Sequence, residues 1–112
     1  MVTLRRTSEN ILVIELEGRL DAKVRSAVEA QVTAALLGEP CAIIDLSRIS
    51  FIASEGLRML LMLRNRQRSA HLLLCCMQDQ VRDVFSISGL LPLFDVFPAR
   101  EAAEHAARAR RS

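Results

Sequence analysis

A short, almost continuous apolar run at residues 41–46 (Cys-Ala-Ile-Ile-Asp-Leu) constrains the fold more than any other feature of the sequence. A run of this kind is typical of a strand covered on both faces, as in parallel sheets flanked by helices. A similar run follows at residues 71–77. Both runs are far shorter than the roughly 20 residues of a membrane helix. The sequence therefore predicts a buried sheet and no membrane insertion.

Strand and helix patterns alternate on either side of these runs. Residues 2–6 and 11–17 have strand composition and are joined by a polar turn at residues 8–10, which predicts an antiparallel hairpin. Asp21 stands where an N-cap belongs, and the helical spacing after it ends at Gly38-Glu39-Pro40. A loop is predicted at 49–53, further helices at 54–68, 78–88 and 98–108, and a last short strand at 93–97.

This order predicts one α/β domain over residues 1–112. Strands that alternate with helices form parallel neighbours through right-handed crossovers. We therefore expect a mixed, mostly parallel β-sheet that begins with an N-terminal hairpin and carries about four packed α-helices.

Composition argues against several classes of function. Fifteen basic and thirteen acidic residues are too balanced for a polyanion-binding protein, and the absence of Trp and Tyr removes a base-stacking platform, so no direct nucleic-acid partner is expected. Cys41, Cys75 and Cys76 lie in apolar runs and suggest no disulfide framework. His71 and His105 stand alone, without metal-ligand spacing. We expect no metal, no cofactor and, without an apolar leader segment, a cytoplasmic location.

Catalytic motifs are also missing from the sequence. The four glycines are scattered and form no phosphate-binding loop, and no G-x-S-x-G pattern surrounds Ser54. The chain is therefore not expected to be an enzyme. One alternative stays open, in which Ser54 is a nucleophile and His71 is brought to it in space as the base.

The most informative segment is residues 43–61, where a buried strand and a loop lead to an amphipathic helix starting at Ser54. As an N-cap, Ser54 would accept a hydrogen bond from the N–H of about residue 56 or 57, worth about 1 kcal/mol over Ala. A phosphate on its hydroxyl would add nearly two negative charges at the positive end of the helix, where they are tolerated. Gly56 in the first turn would permit close approach by another chain.

This segment resembles the STAS family, which includes bacterial anti-sigma factor antagonists. The family's strand, loop and Ser-x-Gly-Leu helix start are matched by residues 44–47 (Ile-Asp-Leu-Ser) and 51–57 (Phe-Ile-Ala-Ser-Glu-Gly-Leu). Residues 18–21 (Gly-Arg-Leu-Asp) resemble its G-x-L-D turn before the first helix. Residues 87–90 (Ile-Ser-Gly-Leu) and 93–94 (Leu-Phe) resemble its late segment. The resemblance covers nearly the whole chain and implies a STAS-like fold.

The resemblance also implies a function. In regulated members the serine at the position of Ser54 is phosphorylated by a partner anti-sigma factor, which is itself a serine kinase. The unmodified form binds that kinase and frees the sigma factor, and a metal-dependent serine phosphatase resets the cycle. Ala53 and Glu55 depart from the usual flanking residues, and the Glu55 carboxylate would repel an incoming phosphate. Ser54 as a plain helix cap therefore stays an alternative.

Helical geometry predicts the surface that would bind the partner. Leu57, Leu60 and Leu61 share the face expected to pack on the sheet, while Met59 and Met62 project roughly opposite. Methionines are adaptable contacts at interfaces, although a neighbouring helix could equally cover them. The predicted partner-binding residues are Asp21, Ser54, Glu55, Gly56, Arg58, Met59 and Met62.

A second functional interpretation follows from the unusual flanks of Ser54. A STAS subunit that is not phosphorylated would serve as an accessory part of a transporter ATPase or as a signalling scaffold. Co-purification with a transporter ATPase, and not with a kinase, would favour this interpretation.

Overall fold

The computed structural model describes residues 1–66 and 71–111 of the chain. Strands and helices alternate along these residues, and a short 3-10 helix, Leu91–Leu93, precedes the last strand. The strands are β1 (Val2–Arg6), β2 (Leu12–Leu20), β3 (Cys41–Ile52), β4 (His71–Cys75) and β5 (Asp95–Phe97). The helices are α1 (Ala22–Leu36), α2 (Ser54–Arg66), α3 (Asp79–Ile87) and α4 (Arg100–Arg111).

The five strands form one sheet in the order β1-β2-β3-β4-β5. β1 pairs with β2 in antiparallel orientation, and each later pair is parallel. Asn10 closes the β1–β2 turn with φ 64° and donates its N–H to the Thr7 carbonyl at 2.9 Å. Asn tolerates this left-handed conformation better than most residues. The predicted hairpin and the mostly parallel sheet are confirmed.

Both faces of the central strands are buried, as the apolar runs predict. Side chains alternate between the faces of a strand. One face, which includes Ile14 and Ile44, packs in the main core with α1, α2 and α3. The other face, which includes Val13 and Ile43, is covered by Ala103 and Ala107 of α4. The sheet is thus the middle layer of a three-layer structure.

The main correction to the predicted elements is the length of the central strands. The loop predicted at 49–53 is wrong, because β3 continues to Ile52 and β2 continues through Gly18 to Leu20. Leu20 lies opposite Ile52 in the parallel register, and this long-range pairing keeps both strands extended to their ends. Both strands end together beside the start of α2.

Smaller differences affect the ends of other elements. β4 stops at Cys75, two residues before the predicted end, because Cys76 turns to φ 65° and leaves the extended conformation. α4 begins at Arg100 and not at Pro98. α2 is described as far as Arg66, and its predicted end at 68 lies outside the described residues.

Candidate partner-binding site

The carboxyl ends of β2 and β3 place the N-termini of α1 and α2 at the same edge of the sheet. Asp21 caps α1 as predicted, since its carboxylate accepts the N–H of Lys23 at 3.1 Å. The N–H of Ala53 donates to the Leu20 carbonyl at 3.0 Å, which ties the start of α2 to the end of β2. This hydrogen bond determines where the residues after Ala53 lie.

Ser54 is exposed at this edge, but it is not the N-cap of α2. The N–H of Leu57 donates to the Ala53 carbonyl at 3.1 Å, so Ala53 is the cap and Ser54 is the first helical residue. The predicted cap role of Ser54 is therefore wrong by one residue, because β3 extends to Ile52. Within the described part of the chain, the Ser54 hydroxyl makes no hydrogen bond. The hydroxyl is left accessible for modification.

Gly56 is buried and serves packing within the chain. A Cβ at this position would lie 2.6 Å from the Leu20 carbonyl oxygen and 3.0 Å from the Ile52 side chain. The close approach predicted for Gly56 exists, but the neighbour is β2 of the same chain. The prediction that Gly56 contacts a partner is wrong for this reason.

The predicted methionine patch is also corrected by the structure. Met59 is fully buried in the core beside Leu60 and Leu63. The buried arc of α2 is wider than the predicted leucine face, because α1 packs alongside α2 and the sheet lies beneath. Met62 is half-buried, with its sulfur 3.0 Å from the Arg25 guanidinium. Met59 therefore cannot contact a partner in this fold, and Met62 offers only part of its surface.

Glu55 is held by two arginines. Its carboxylate oxygens lie 2.7 Å from Nη1 of Arg25, on α1, and 2.8 Å from Nη1 of Arg58. The hydrogen bond from Arg25 is the largest influence on the pKa of Glu55 and lowers it. Burial, the second-largest influence, raises this pKa, and the smaller contribution of Arg58 lowers it, so that the net shift is downward. The sequence did not identify Arg25, because its contact with Glu55 joins two helices far apart in the chain.

An exposed aromatic residue borders the same edge. Phe51 is 39% exposed, and the Arg19 guanidinium lies 4.1 Å from the centre of its ring. Nε of Arg19 is also 3.7 Å from the Asp21 carboxylate. The sequence missed this pair because Phe51 was assigned to a loop. We call the exposed or half-buried residues of this edge the Ser54 surface; they are Arg19, Asp21, Phe51, Ser54, Glu55 and Arg58.

The geometry removes the histidine proposed as a base for Ser54. His71 pairs with Cys41 at the first residue of β3, whereas Ser54 follows the last residue of that strand. At about 3.3 Å per residue, the strand separates the two side chains by roughly 30 Å or more. His71 cannot deprotonate Ser54.

A second charged cluster lies beneath α4, on the opposite face of the sheet. Asp45 is almost fully buried and accepts the N–H of Ser47 at 2.8 Å and Nε of Arg100 at 2.9 Å. Arg100 also lies 2.7 Å from Glu15. Burial alone would raise the pKa of Asp45, but the hydrogen bonds from Ser47 and Arg100 outweigh burial and lower the pKa. The cluster ties α4 to β2 and β3.

Two thiols lie near this carboxylate without forming a favourable metal site. The ligand atoms of Asp45, Cys75 and Cys76 lie within 4.8 Å of one another. Burial raises the pKa of both thiols, and metal ions bind the deprotonated thiolate. Because the Asp45 carboxylate is already bound by Arg100 and by the Ser47 N–H, a cation would have to compete with the Arg100 guanidinium.

Among the described residues, no helix is long and apolar enough to span a membrane.

Comparison with known proteins agrees with this architecture. The chain is 37% identical over 98 residues to BtrV of Bordetella bronchiseptica, described as an anti-sigma factor antagonist, and the match covers 85% of this chain and 84% of the relative. An anti-sigma factor antagonist from Mycobacterium paratuberculosis has the same fold, with a TM-score of 0.86 and 22% identity over 96% of this chain and 93% of that one.

The anti-sigma factor antagonist SpoIIAA is similar in two solved states. Its unphosphorylated form gives a TM-score of 0.72 at 26% identity, over 100% of this chain and 98% of that one. Its phosphorylated form, from Bacillus, gives 0.65 at 24% identity, over 95% and 99%. Residues 4–103 of the chain match the family model of the STAS domain. The chain therefore belongs to the STAS domain family and resembles its anti-sigma factor antagonists.

Proposed function

We propose that the protein binds an anti-sigma factor that is a serine kinase, and that phosphorylation of Ser54 releases this partner. The observation that carries the proposal is the exposed Ser54 hydroxyl at the first residue of α2. The similarity to BtrV and to SpoIIAA, solved with and without phosphate, supports the same role. In the reaction, the γ-phosphoryl group of ATP passes to the Ser54 oxygen, the hydroxyl proton is lost and ADP leaves.

The charge of the added phosphate explains how it would end binding. A phosphoserine carries about −1.5 to −2 charges at neutral pH. An interface that closes over the Ser54 surface would have to bury this dianion, which is costly unless the partner supplies paired cations. At the start of a helix the same charge is tolerated by the fold. Binding would be lost while the domain stays folded.

The Arg25–Glu55–Arg58 contacts answer the main objection to phosphorylation. Taken alone, Glu55 beside Ser54 would repel an incoming phosphate. Both of its carboxylate oxygens are paired with guanidinium groups at 2.7 and 2.8 Å. The repulsion is therefore compensated locally, and the Glu55 carboxylate does not oppose the proposal.

Phosphotransfer from the cognate kinase tests the proposal. The purified chain, mixed with the kinase and magnesium ATP, should gain one phosphate on Ser54 in an intact-mass measurement and lose it to a metal-dependent serine phosphatase. Ser54→Ala should block phosphate incorporation but keep kinase binding, and Ser54→Asp should weaken binding. Ser86→Ala, at an exposed position of α3, is the matched control and should behave like the unmodified chain.

Two results would contradict the proposal. If no phosphate is incorporated, or if neither Ser54 substitution alters kinase binding, Ser54 is not the switch. Co-purification with a transporter ATPase in place of a kinase would support the alternative role as an accessory subunit.

A further inference from the structure

A network of alternating charges links the Ser54 surface to the groove between α1 and α2. Glu55 lies between Arg58 at 2.8 Å and Arg25 at 2.7 Å. Arg25 also contacts Glu29 at 3.3 Å, and Glu29 contacts Arg66 at 3.4 Å. We call these residues the interhelix charge network. It contains three arginines and two glutamates, so one positive charge is not compensated within it.

The two arginines that pair with Glu55 differ in side-chain exposure and in the number of their partners. The Arg25 side chain is 22% exposed and is fixed by Glu55, Glu29 and the sulfur of Met62. The Arg58 side chain is 66% exposed, and Glu55 is its single partner among the described residues. A new anion nearby would therefore move Arg58 and leave Arg25 in place.

Ser54 is correctly placed to supply that anion. Residues three and four apart on a helix are neighbours, so Arg58 lies within reach of both Glu55, at i−3, and Ser54, at i−4. A phosphate offers a guanidinium more charge and more acceptor oxygens than a carboxylate does. Arg25 can keep Glu55 paired after Arg58 has left.

We propose that phosphorylation transfers Arg58 from Glu55 to the phosphate on Ser54, so that Arg58 is the counter-ion built into the switch. The inference rests on the proposed function, since it assumes that Ser54 carries the phosphate. Before phosphorylation, Arg58 projects from the Ser54 surface and is available to the kinase. After it, Arg58 is bound to the phosphate. The partner thus loses a basic contact at the same moment as it meets the new negative charge.

The exchange is measurable without any kinase. Phosphoserine is incorporated at position 54 during translation, and its second pKa is followed by ³¹P NMR as the pH is varied. A free phosphoserine titrates near pH 6. We expect Arg58→Gln to raise this pKa by about 0.3 pH unit relative to the phosphorylated parent, in line with a helical i, i+4 ion pair. Arg64→Gln, on an exposed position of the same helix, is the control and should leave the pKa unchanged.

The ¹⁵Nε–¹Hε resonances of the arginine side chains give a second measurement. The Arg58 signal should shift between the unphosphorylated and phosphorylated chains, while the Arg25 signal stays nearly constant. Equal phosphate pKa values in the Arg58→Gln and Arg64→Gln chains would overturn the inference, as would an Arg58 signal that phosphorylation leaves in place. Because the phosphate is installed genetically, these outcomes are independent of the phosphotransfer assay, whose failure would refute the proposed function itself.

Discussion

Replacing Gly56 with alanine should destabilise the fold, although the same change usually stabilises a helix. In an ordinary helix interior, Ala is favoured over Gly by about 1 kcal/mol. In this chain the added Cβ would lie 2.6 Å from the Leu20 carbonyl oxygen, a backbone atom, and 3.0 Å from side-chain atoms of Leu20 and Ile52. A side-chain rotation alone cannot relieve the closest contact, because its partner atom belongs to the backbone of β2.

The magnitude follows from the contacts that must change. Overpacking of this kind costs typically 1–3 kcal/mol. The Leu20 carbonyl also accepts the Ala53 N–H at 3.0 Å, and displacing it weakens a hydrogen bond worth about 1 kcal/mol. The gain in helix propensity offsets the weakened hydrogen bond, so the net loss in the free energy of unfolding for Gly56→Ala is about 1–3 kcal/mol.

Urea unfolding followed by far-UV circular dichroism measures this loss as a lower midpoint at an unchanged slope. The control is Ser26→Ala, at an exposed position of α1, which should leave stability unchanged or raise it by a few tenths of a kcal/mol. A Gly56→Ala chain as stable as the parent would refute the claim that β2 sets the position of α2. Amide shifts in the folded variant should concentrate at Leu20 and Ala53.

Four further substitutions test other parts of the structure. Arg100→Gln should cost about 1–3 kcal/mol at pH 7, because it leaves the buried Asp45 carboxylate without its charged partner. Since the folded-state pKa of Asp45 is lowered, the ionised carboxylate stabilises the fold above about pH 4, and this stabilisation is lost as the pH falls further. The urea midpoint should therefore decline less steeply with acid in the Arg100→Gln variant than in the parent. Thr33→Val should be neutral or stabilise by up to about 1 kcal/mol in the same assay, since among the described residues its buried hydroxyl oxygen has no hydrogen-bond partner. Met59→Ala should lower the free energy of unfolding by about 2–5 kcal/mol as a core truncation, and Met62→Ala by clearly less. Equal and small losses for the two variants would contradict the burial of Met59 and support an exposed methionine patch.

Local patterns predicted the order of the elements because each carries its own signal. The apolar runs at residues 41–46 and 71–77 predict strands buried on both faces, and the structure has such a strand at each, although the second ends at Cys75. Asp21 marks the start of α1 through its own hydrogen bond. These features depend on residues close together in the chain, which sequence reasoning treats well.

The errors arise where distant residues decide the outcome. Residues 49–53 are predicted as a loop, whereas pairing with β2 keeps the chain extended as far as Ile52. That extension moves the cap of α2 from Ser54 to Ala53 and brings Leu20 against Gly56. The ion pair of Arg25 with Glu55 likewise joins two helices, and no local spacing reveals it.

On the face of the sheet covered by α4, two buried cysteines can report how often that helix moves away. Cys41 and Cys75 are buried there beneath Ala103 and Ala107, whose small side chains contribute little buried area. Much of the attachment of α4 therefore comes from ion pairs, such as Arg100 with Asp45 and Arg110 with Asp95. Segments held in this way open more readily than the core. The rate at which a thiol reagent labels these two cysteines, and its rise with salt, would measure how often the last helix lifts from an otherwise intact domain.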